Sequence, residues 1–331
     1  MKILIVTVKW AAGDSNNHPD ATYAHLIKPA LNVFKDKSET EIIVDFIEEN
    51  NIWSVEALNE RLLLNDFDIC IFSPFKNIVP DLSVAKKLGK KLFICAWDSH
   101  NASTTNRQVN LRIFLKNIYD NGAVKFNHSL FEYSQFCNIL VFDNCYGQIF
   151  PNIHATFVPM NVEELYPIDE NEKKYDLAFI GSQYEKERFW YISNLQKSNL
   201  PFNHFGGKGE NEQKLSYEQW AKINRETKIS LNFNGNSFFG ARKARAWEIA
   251  ACKNLMLTTL PEVYNSSKGK LFVDGEHFIS INTTNYLSKI KYYLENDEER
   301  IKIANNMHEY WKNNYSAEIW WNNIIRWSNN V

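Results

Sequence analysis

The sequence has few cysteines, and those it has form no recognisable pattern. Cys70, Cys95, Cys137, Cys145 and Cys252 are odd in number and scattered, and no two of them form a Cys-x-x-Cys pair. This set argues against a disulfide framework and against a structural zinc site. Cys70 and Cys95 lie inside apolar runs typical of buried strands, so we interpret both as core residues.

An excess of positive charge is also missing. The chain has 37 Lys and Arg against 39 Asp and Glu, which gives a formal net charge of −2. Without a global positive field, the protein has no general attraction for a phosphate backbone. A nucleic-acid partner is therefore not expected.

Long apolar runs are absent as well. No run approaches the roughly 20 residues that a membrane-spanning helix needs, so no transmembrane segment is expected. The chain starts with a strand-like stretch, Met1-Lys-Ile-Leu-Ile-Val-Thr-Val, and not with the pattern of a signal peptide. We expect a soluble, cytoplasmic protein, with peripheral contact to a membrane surface left open.

The sequence has no glycine fingerprint for a dinucleotide and no convincing Asp-x-Asp motif for a metal ion. The loop after the first strand offers only Gly13, and Gly206-Gly-Lys-Gly lacks the spacing that a dinucleotide-binding fingerprint needs. A nicotinamide-dependent dehydrogenase is therefore disfavoured. Asp66-Phe-Asp68 has the Asp-x-Asp spacing of a metal site, but it directly precedes a buried strand and more simply caps it. No metal is expected.

What is present is a strand and helix pattern that runs twice. A chain of 331 residues is long enough for two domains. In the first half, the predicted strands are 3–8, 41–47, 67–73, 91–96, 138–142 and 155–158, and the predicted helices are 20–34, 55–64 and 82–88. In the second half, the predicted strands are 176–180, 202–205, 228–233 and 255–259, and the predicted helices are 185–197, 215–226 and 240–252. Such alternation predicts an α/β protein with two parallel, helix-covered sheets.

The polar, acidic stretch 159–174 separates the two patterns and predicts a linker. The last 30 residues are helical in pattern and carry Trp311, Trp320, Trp321 and Trp327. One face of such a helix must be buried. We favour a terminal helix that packs across both domains over an aromatic belt at a membrane. The predicted fold is therefore two Rossmann-like domains that face a cleft, with ligands at the carboxyl ends of the strands.

The strand 228–233 and the helix after it carry the most chemical information. Asn232 and Asn234 mark the carboxyl end of the strand, and Gly240 begins the helix. Free N–H groups and the helix dipole make such a helix start an anion site. We therefore expect a ligand with a phosphate group at this edge.

Three charged residues of that helix are spaced by three. Arg242, Arg245 and Glu248 are neighbours on one helix face. Guanidinium groups suit a diphosphate, and a carboxylate suits the hydroxyls of a ribose. The same spacing also suits a solvated face with a weak Arg245–Glu248 ion pair, and the spacing alone does not decide between the two.

From residue 175 to about residue 325 the sequence resembles the C-terminal domain of GT-B glycosyltransferases. Within the group 1 class it is most similar to the spore-maturation type. Tyr175-Asp-Leu-Ala-Phe-Ile-Gly-Ser resembles the family's first strand and glycine turn, and Arg188 its next arginine. Arg245-Ala-Trp-Glu-Ile-Ala-Ala-Cys-Lys resembles the run Arg-x-Phe-Glu-x-x-Ala-Cys-Gly, with Trp247 for Phe and Lys253 for Gly. Residues 289–304 resemble its closing helices.

The resemblance implies a metal-independent glycosyltransferase of the hexosyltransferase class, acting in polysaccharide or glycoprotein synthesis. Such an enzyme moves a sugar from a nucleotide-sugar donor to a hydroxyl of a glycan or protein, and needs no other cofactor. The domains would be 1–160 for the acceptor, 161–174 as linker, 175–310 for the donor and 311–331 as C-terminal helix. Glu248 would bind the ribose and Arg245 the diphosphate. The other implied donor-binding residues are Gly181, Ser182, Arg188, Asn232, Gly240 and Arg242.

The N-terminal half offers candidates for the group that takes the acceptor's proton. Asp98, followed by His100, comes directly after the fourth predicted strand, where a carboxylate or imidazole can act as a base. The first loop carries Gly13, which would let that loop approach the donor closely, and an ordinary turn glycine explains it equally well. The same loop carries Asp14 and His18 as further candidates for the base. A polar loop residue with only local hydrogen bonds explains each of them as well.

Three further points stay open. Glu276 resembles an acidic position in a late loop of the family. A non-catalytic, two-lobed nucleotide- or sugar-binding protein has the same fold, and so do other Rossmann-type enzymes. The sugar, the nucleotide, the acceptor and the stereochemistry are not encoded in any motif that we find.

Overall fold

Two parallel β-sheets with flanking helices make up the described part of the chain. The computed structural model describes residues 1–7, 23–46, 54–73, 79–96, 132–142, 152–160, 163–181, 186–206, 215–233, 244–259 and 272–329. Both sheets and their helices fall where the sequence pattern alternates. The α/β fold class is thereby confirmed.

The first sheet has six parallel strands in the order β2-β1-β3-β4-β5-β6. They are β1 (Lys2–Thr7), β2 (Glu41–Phe46), β3 (Ile69–Phe72), β4 (Leu92–Ala96), β5 (Asn138–Val141) and β6 (Ile153–Ala155). Its described helices are α1 (Lys28–Phe34), α2 (Val55–Leu64) and α3 (Leu82–Leu88). A π-helical turn, Tyr23–Ile27, leads into α1. The continuous apolar runs of β1 and β3 are buried because helices cover both faces of the sheet.

The second sheet has five parallel strands in the order β11-β10-β9-β7-β8. They are β7 (Tyr175–Ile180), β8 (Phe202–Phe205), β9 (Thr227–Asn232), β10 (Leu255–Thr258) and β11 (Ile279–Ser280). The described helices of this half are α4 (Lys186–Gln196), α5 (Tyr217–Arg225), α6 (Ala244–Ala251), α7 (Tyr286–Glu295), α8 (Asp297–Tyr315) and α9 (Ala317–Asn329). In each sheet the strand order reverses beside the first strand, between β1 and β3 and between β7 and β9, which is where ligands bind in open α/β sheets.

One predicted strand is wrong in position. We predicted a strand over 155–158, but β6 is Ile153–Ala155 and the chain then leaves the sheet. Phe157, Val158 and Met160 are buried without being strand residues, because they pack in a core that also holds side chains of the second half. The apolar run therefore marks burial, which the sequence pattern alone does not distinguish from a strand.

The C-terminal helix α9 packs back against the first half. Trp321 contacts Phe34 of α1 edge-on, with ring centroids 5.3 Å apart. Trp327 stacks on His154 of β6 at 4.0 Å. Trp320 and Trp321 are fully buried. The prediction of a terminal helix that packs across both halves is confirmed, and no described helix is long and apolar enough to cross a membrane.

The segment between the sheets is held by a group of charges that we call the linker anchor: Glu170, Lys173, Asp297 and Arg300. Arg300 is 1% exposed, and its guanidinium donates to the carboxylates of Asp297 and Glu170. Lys173 Nζ donates to the carbonyl of Lys253 at 2.8 Å and to Asn254 Oδ1 at 3.0 Å, and lies 3.4 Å from Glu170 Oε2. The anchor fixes the segment to the second half. The exact domain boundaries given above stay a prediction.

Candidate functional site

The carboxyl edge of β7 ends in a tight glycine turn. Gly181 has φ +142°, which L side chains rarely adopt, and its N–H donates to the carbonyl of Phe205 at 2.7 Å. His204 Nε2 lies 2.8 Å from the carbonyl of Gly181. The backbone of Gly181 is thus held on both sides by the neighbouring strand β8.

Arg245 of α6 lies against this turn. Its guanidinium stands over the ring of Phe179, 5.0 Å from the centroid. A Cβ on Gly181 would come within 3.0 Å of Arg245 Nη2. Glycine is needed here both for its backbone conformation and for the space that the guanidinium occupies. The structure therefore brings the predicted pair Gly181 and Arg245 together.

Glu248 lies one turn further along α6 and is 5% exposed. Its Oε1 is 3.2 Å from Nε2 of His25, which comes from the π-helical turn before α1. Its Oε2 is buried and has no hydrogen-bond partner among the described residues. A buried acceptor that lacks a partner costs about 1–3 kcal/mol, and a charged one costs more, so this oxygen is poised for a hydroxyl donor.

His25 is a site residue that the sequence analysis missed. It is buried and contacts Trp220 of α5 edge-on at 6.4 Å. The sequence offers one faint signal, which is Pro29 inside the predicted helix 20–34. Proline lacks the N–H that would bond to the carbonyl of His25 in an α-helix, and this favours the wider turn that carries the imidazole.

Thr7 is a second residue that we missed. It ends β1 at the strand-order reversal of the first sheet, and it is fully buried. Its hydroxyl has no hydrogen-bond partner in the described part of the chain. Thr7 lies at the carboxyl edge of the first sheet, as Gly181 does in the second. The sequence feature that could have identified it is a threonine at the end of an apolar strand.

Two other predicted residues are held by the sheet itself. Asn232 is 1% exposed, and its Nδ2 lies 3.4 Å from Thr258 Oγ1 on the neighbouring strand β10. Thr258 Oγ1 in turn donates to the carbonyl of Asn232 at 2.9 Å. Arg188 of α4 donates through Nε to the carbonyl of Phe233 at 3.1 Å. Asn232 thus lies at the carboxyl end of β9, as predicted, and Arg188 contacts the residue after that strand from α4.

The two departures from the family pattern have simple structural outcomes. Lys253 keeps a left-handed conformation, φ +59°, and the N–H of Asn254 closes α6 on the carbonyl of Ile249 at 3.2 Å. The turn geometry is therefore retained without glycine. Trp247 is fully buried, and its indole N–H has no partner within the described ranges.

Several predicted residues lie outside the described residues, and their roles stay predictions. They are Gly13, Asp14, His18, Asp98, His100, Ser182, Asn234, Gly240 and Arg242. Glu276 is described, and its side chain is 60% exposed. Asp68 accepts the backbone N–H of Lys2, the first residue of the neighbouring strand β1, at 2.8 Å. In the described part of the chain, no group of three His, Cys, Asp or Glu residues is placed to hold a metal ion.

Comparisons with known proteins agree with the fold. Residues 163–326 match the profile of the glycosyl transferase-like family. The structure is similar to a glycosyltransferase from Rickettsia africae, with 11% identity, coverage of 100% of this chain and 99% of that one, and a TM-score of 0.58. It is also similar to Anabaena Alr3699/HepE in complex with UDP-glucose, with 9% identity, 98% coverage of each chain and a TM-score of 0.55. No curated protein sequence matches the chain. At these identities the likeness shows the two-domain GT-B fold.

Proposed function

The C-terminal half of this chain, residues 163–326, belongs to the glycosyl transferase-like family, and from that premise we propose that the protein transfers a sugar from a nucleotide-sugar donor. The acceptor is a hydroxyl of a glycan or a protein, and the group that moves is a hexose. The donor lies at the carboxyl edge of β7 and β9, where the strand order of the second sheet reverses.

One observation carries this proposal: α6 presents a guanidinium and a buried, half-satisfied carboxylate at that edge. Glu248 Oε2 has no partner among the described residues, which suits a ribose hydroxyl that donates a hydrogen bond. Arg245 lies against the Gly181 turn, which suits a diphosphate that approaches the backbone closely. The two groups match the two ends of a nucleoside diphosphate.

The same groups suit the chemistry of transfer. Cleavage of the bond between sugar and phosphate leaves negative charge on the departing diphosphate. A guanidinium held in place before the reaction stabilises that charge without reorganising. Asp98, with His100 as second candidate, takes the proton of the acceptor hydroxyl in this proposal.

We propose that no metal ion takes part, because arginine replaces it at the diphosphate. EDTA at millimolar concentration is expected to leave the rate of donor turnover unchanged within experimental error. Addition of Mg²⁺ or Mn²⁺ after EDTA serves as the control. A clear loss of donor turnover with EDTA, reversed by either ion, would contradict metal independence. It would make the Asp66-Phe-Asp68 motif the next candidate for a metal site.

The nucleotide is the first thing to measure. Alr3699/HepE has been crystallised with UDP-glucose, so we propose UDP as the leading candidate. Thermal unfolding of the purified protein with UDP, GDP, TDP and ADP should show a rise in Tm with one of them, because a ligand that binds only the folded state stabilises it. Hydrolysis of the matching nucleotide sugar then tests turnover.

Variants make that experiment specific to the proposed site. Glu248→Gln keeps the size of the side chain and removes its charge, and it is expected to reduce the rise in Tm. Glu295→Gln changes an exposed glutamate on α7 and should behave as wild type. If no nucleoside diphosphate shifts the wild-type Tm, the proposed function is wrong. Tight binding without any turnover would instead favour a binding protein.

A further inference from the structure

His25 and Glu248 join the two halves of the molecule at the proposed donor site. They are 223 positions apart in the chain, and their side chains meet at 3.2 Å in a buried environment. A carboxylate can only accept hydrogen bonds, so Nε2 of His25 carries the hydrogen that Oε1 accepts. The other oxygen, Oε2, is left without a partner among the described residues.

The imidazole is held firmly on its own side. The π-helical turn Tyr23–Ile27 sets its direction, and the buried side chains of Leu26 and Ile27 fix that turn in the core. On the other side the ring contacts Trp220 edge-on. A π-helical turn of this kind is rare, and such turns occur frequently at functional sites.

We propose that His25 is a positioning residue for donor binding: it fixes Oε1 of Glu248 and thereby leaves Oε2 as the one acceptor for a ligand hydroxyl. The inference rests on the proposed function. Glu248 has three rotatable bonds before its carboxylate, so a fixed Oε1 removes most of the freedom that binding would otherwise have to freeze. The donor site is complete only when the segment before α1 is docked on α6.

The test compares two replacements of His25. His25→Phe keeps an aromatic ring next to Trp220 but cannot donate a hydrogen bond, and His25→Gln keeps a donor on a flexible chain. We expect His25→Phe to weaken UDP binding at least fivefold in isothermal titration, and His25→Gln to stay within about twofold of wild type. If His25→Phe does not fold, His25→Ala removes the donor by truncation and carries the same expectation.

A double variant separates positioning from general stability. In a Glu248→Gln background, His25→Phe should weaken UDP binding no further, because the carboxylate that it positions has been removed. His154→Gln, which also replaces a partly buried histidine, is the matched control and should bind UDP as wild type does. With UDP-glucose as substrate, His25→Phe should raise KM for the donor and change kcat less than twofold.

The outcomes distinguish the two proposals. If wild type binds UDP and His25→Phe binds it equally well, or if Phe and Gln lose affinity equally, the assignment of His25 is wrong and the proposed function stands. Additive losses in the double variant also overturn it. If wild type binds none of the four nucleoside diphosphates, the proposed function and the role of His25 fall together.

Discussion

The chain buries charged side chains at two places, Lys173 and Arg300 in the linker anchor and Glu248 at the proposed donor site, and the two places differ in how many of the charged atoms have hydrogen-bond partners. In the linker anchor, every nitrogen of Arg300 donates to a carboxylate, and Lys173 has three oxygen neighbours. At the donor site, Glu248 has one filled oxygen and one without a partner among the described residues. Both groups join segments that are distant in sequence.

The difference separates a structural role from a binding role. Desolvation of a charge is tolerated when its hydrogen bonds are complete, and it is costly when they are not. In the linker anchor every cationic nitrogen already donates to an oxygen of the protein, so we assign this group to stability. At Glu248 one oxygen, Oε2, has no partner among the described residues and can accept a hydrogen bond from a ligand, so we assign this group to binding.

The largest expected effect is on stability at the anchor. Arg300→Met removes a buried guanidinium and leaves the carboxylates of Glu170 and Asp297 without it. The expected cost is about 3 kcal/mol, at the low end for a broken buried pair, because the Glu170 side chain is 30% exposed and the Asp297 side chain 68%. Urea unfolding measures it as a lower midpoint at constant slope. Lys291→Met, at an exposed pair, is the control. If Arg300→Met weakened nucleotide binding and left the unfolding midpoint unchanged, the linker anchor would serve binding and not stability.

Gly181→Ala should have the next largest effect and touches both properties. A side chain at φ +142° is strained by about 2 kcal/mol, and its Cβ would displace the guanidinium of Arg245. Lower stability together with weaker UDP binding is expected. Gly89→Ala also has a positive φ, +58°, but nothing lies within 4 Å of its Cβ, so it should lower stability alone. If Gly181→Ala and Gly89→Ala bind UDP equally well, the contact between Gly181 and Arg245 does not contribute to nucleotide binding.

Glu248→Ala and Arg245→Ala test the open site itself. Each is expected to cut donor binding or turnover at least tenfold, which corresponds to about 1.4 kcal/mol, while the midpoint of unfolding changes little. Titration calorimetry with UDP and urea unfolding of the same samples give both numbers. Wild-type activity in both variants would mean that the groups on α6 do not bind the donor.

The smallest expected effect is a pH dependence at His154, which is partly buried. His154 contacts Asn138 Oδ1 at 2.8 Å, and burial, with Lys90 and Arg326 nearby, lowers its pKa to about 4 from the ordinary 6.5. Between these values the unfolded chain binds the extra proton, so stability falls as pH drops through that window, by about 1 kcal/mol for a partly exposed group. His154→Gln should flatten this slope in urea unfolding at pH 4 to 7. An unchanged slope would exclude His154 as its source.

Local patterns predicted most of the elements of the second half, and the family resemblance singled out Gly181 and Arg245, which the structure brings together. Continuous apolar strands, a glycine at the end of β7 and charges spaced by three on one helix face all act within a few residues. The helices α2 and α3 follow the predicted ranges for the same reason. The left-handed Lys253 shows that a backbone conformation can persist after the glycine that usually favours it is gone.

What could not be predicted depends on contacts between distant segments. The partner of Glu248 is His25, and no spacing rule connects a residue of α6 with one that precedes it by 223 positions. The displaced strand β6 has the same origin, since Phe157 and Val158 are buried by the second half of the chain. Periodicity reports that a residue is buried, but only the packed structure reports what buries it.

The contact of α9 with α1 and β6 has a consequence for the order of events during synthesis. The ribosome makes the first sheet before α9, so Phe34 and His154 cannot pack against Trp321 and Trp327 until α9 has been synthesised. Removal of the final helix would expose apolar surface on the segment that was made first. We therefore expect chaperones to bind a nascent chain that stops short of residue 317, although both sheets have already been translated.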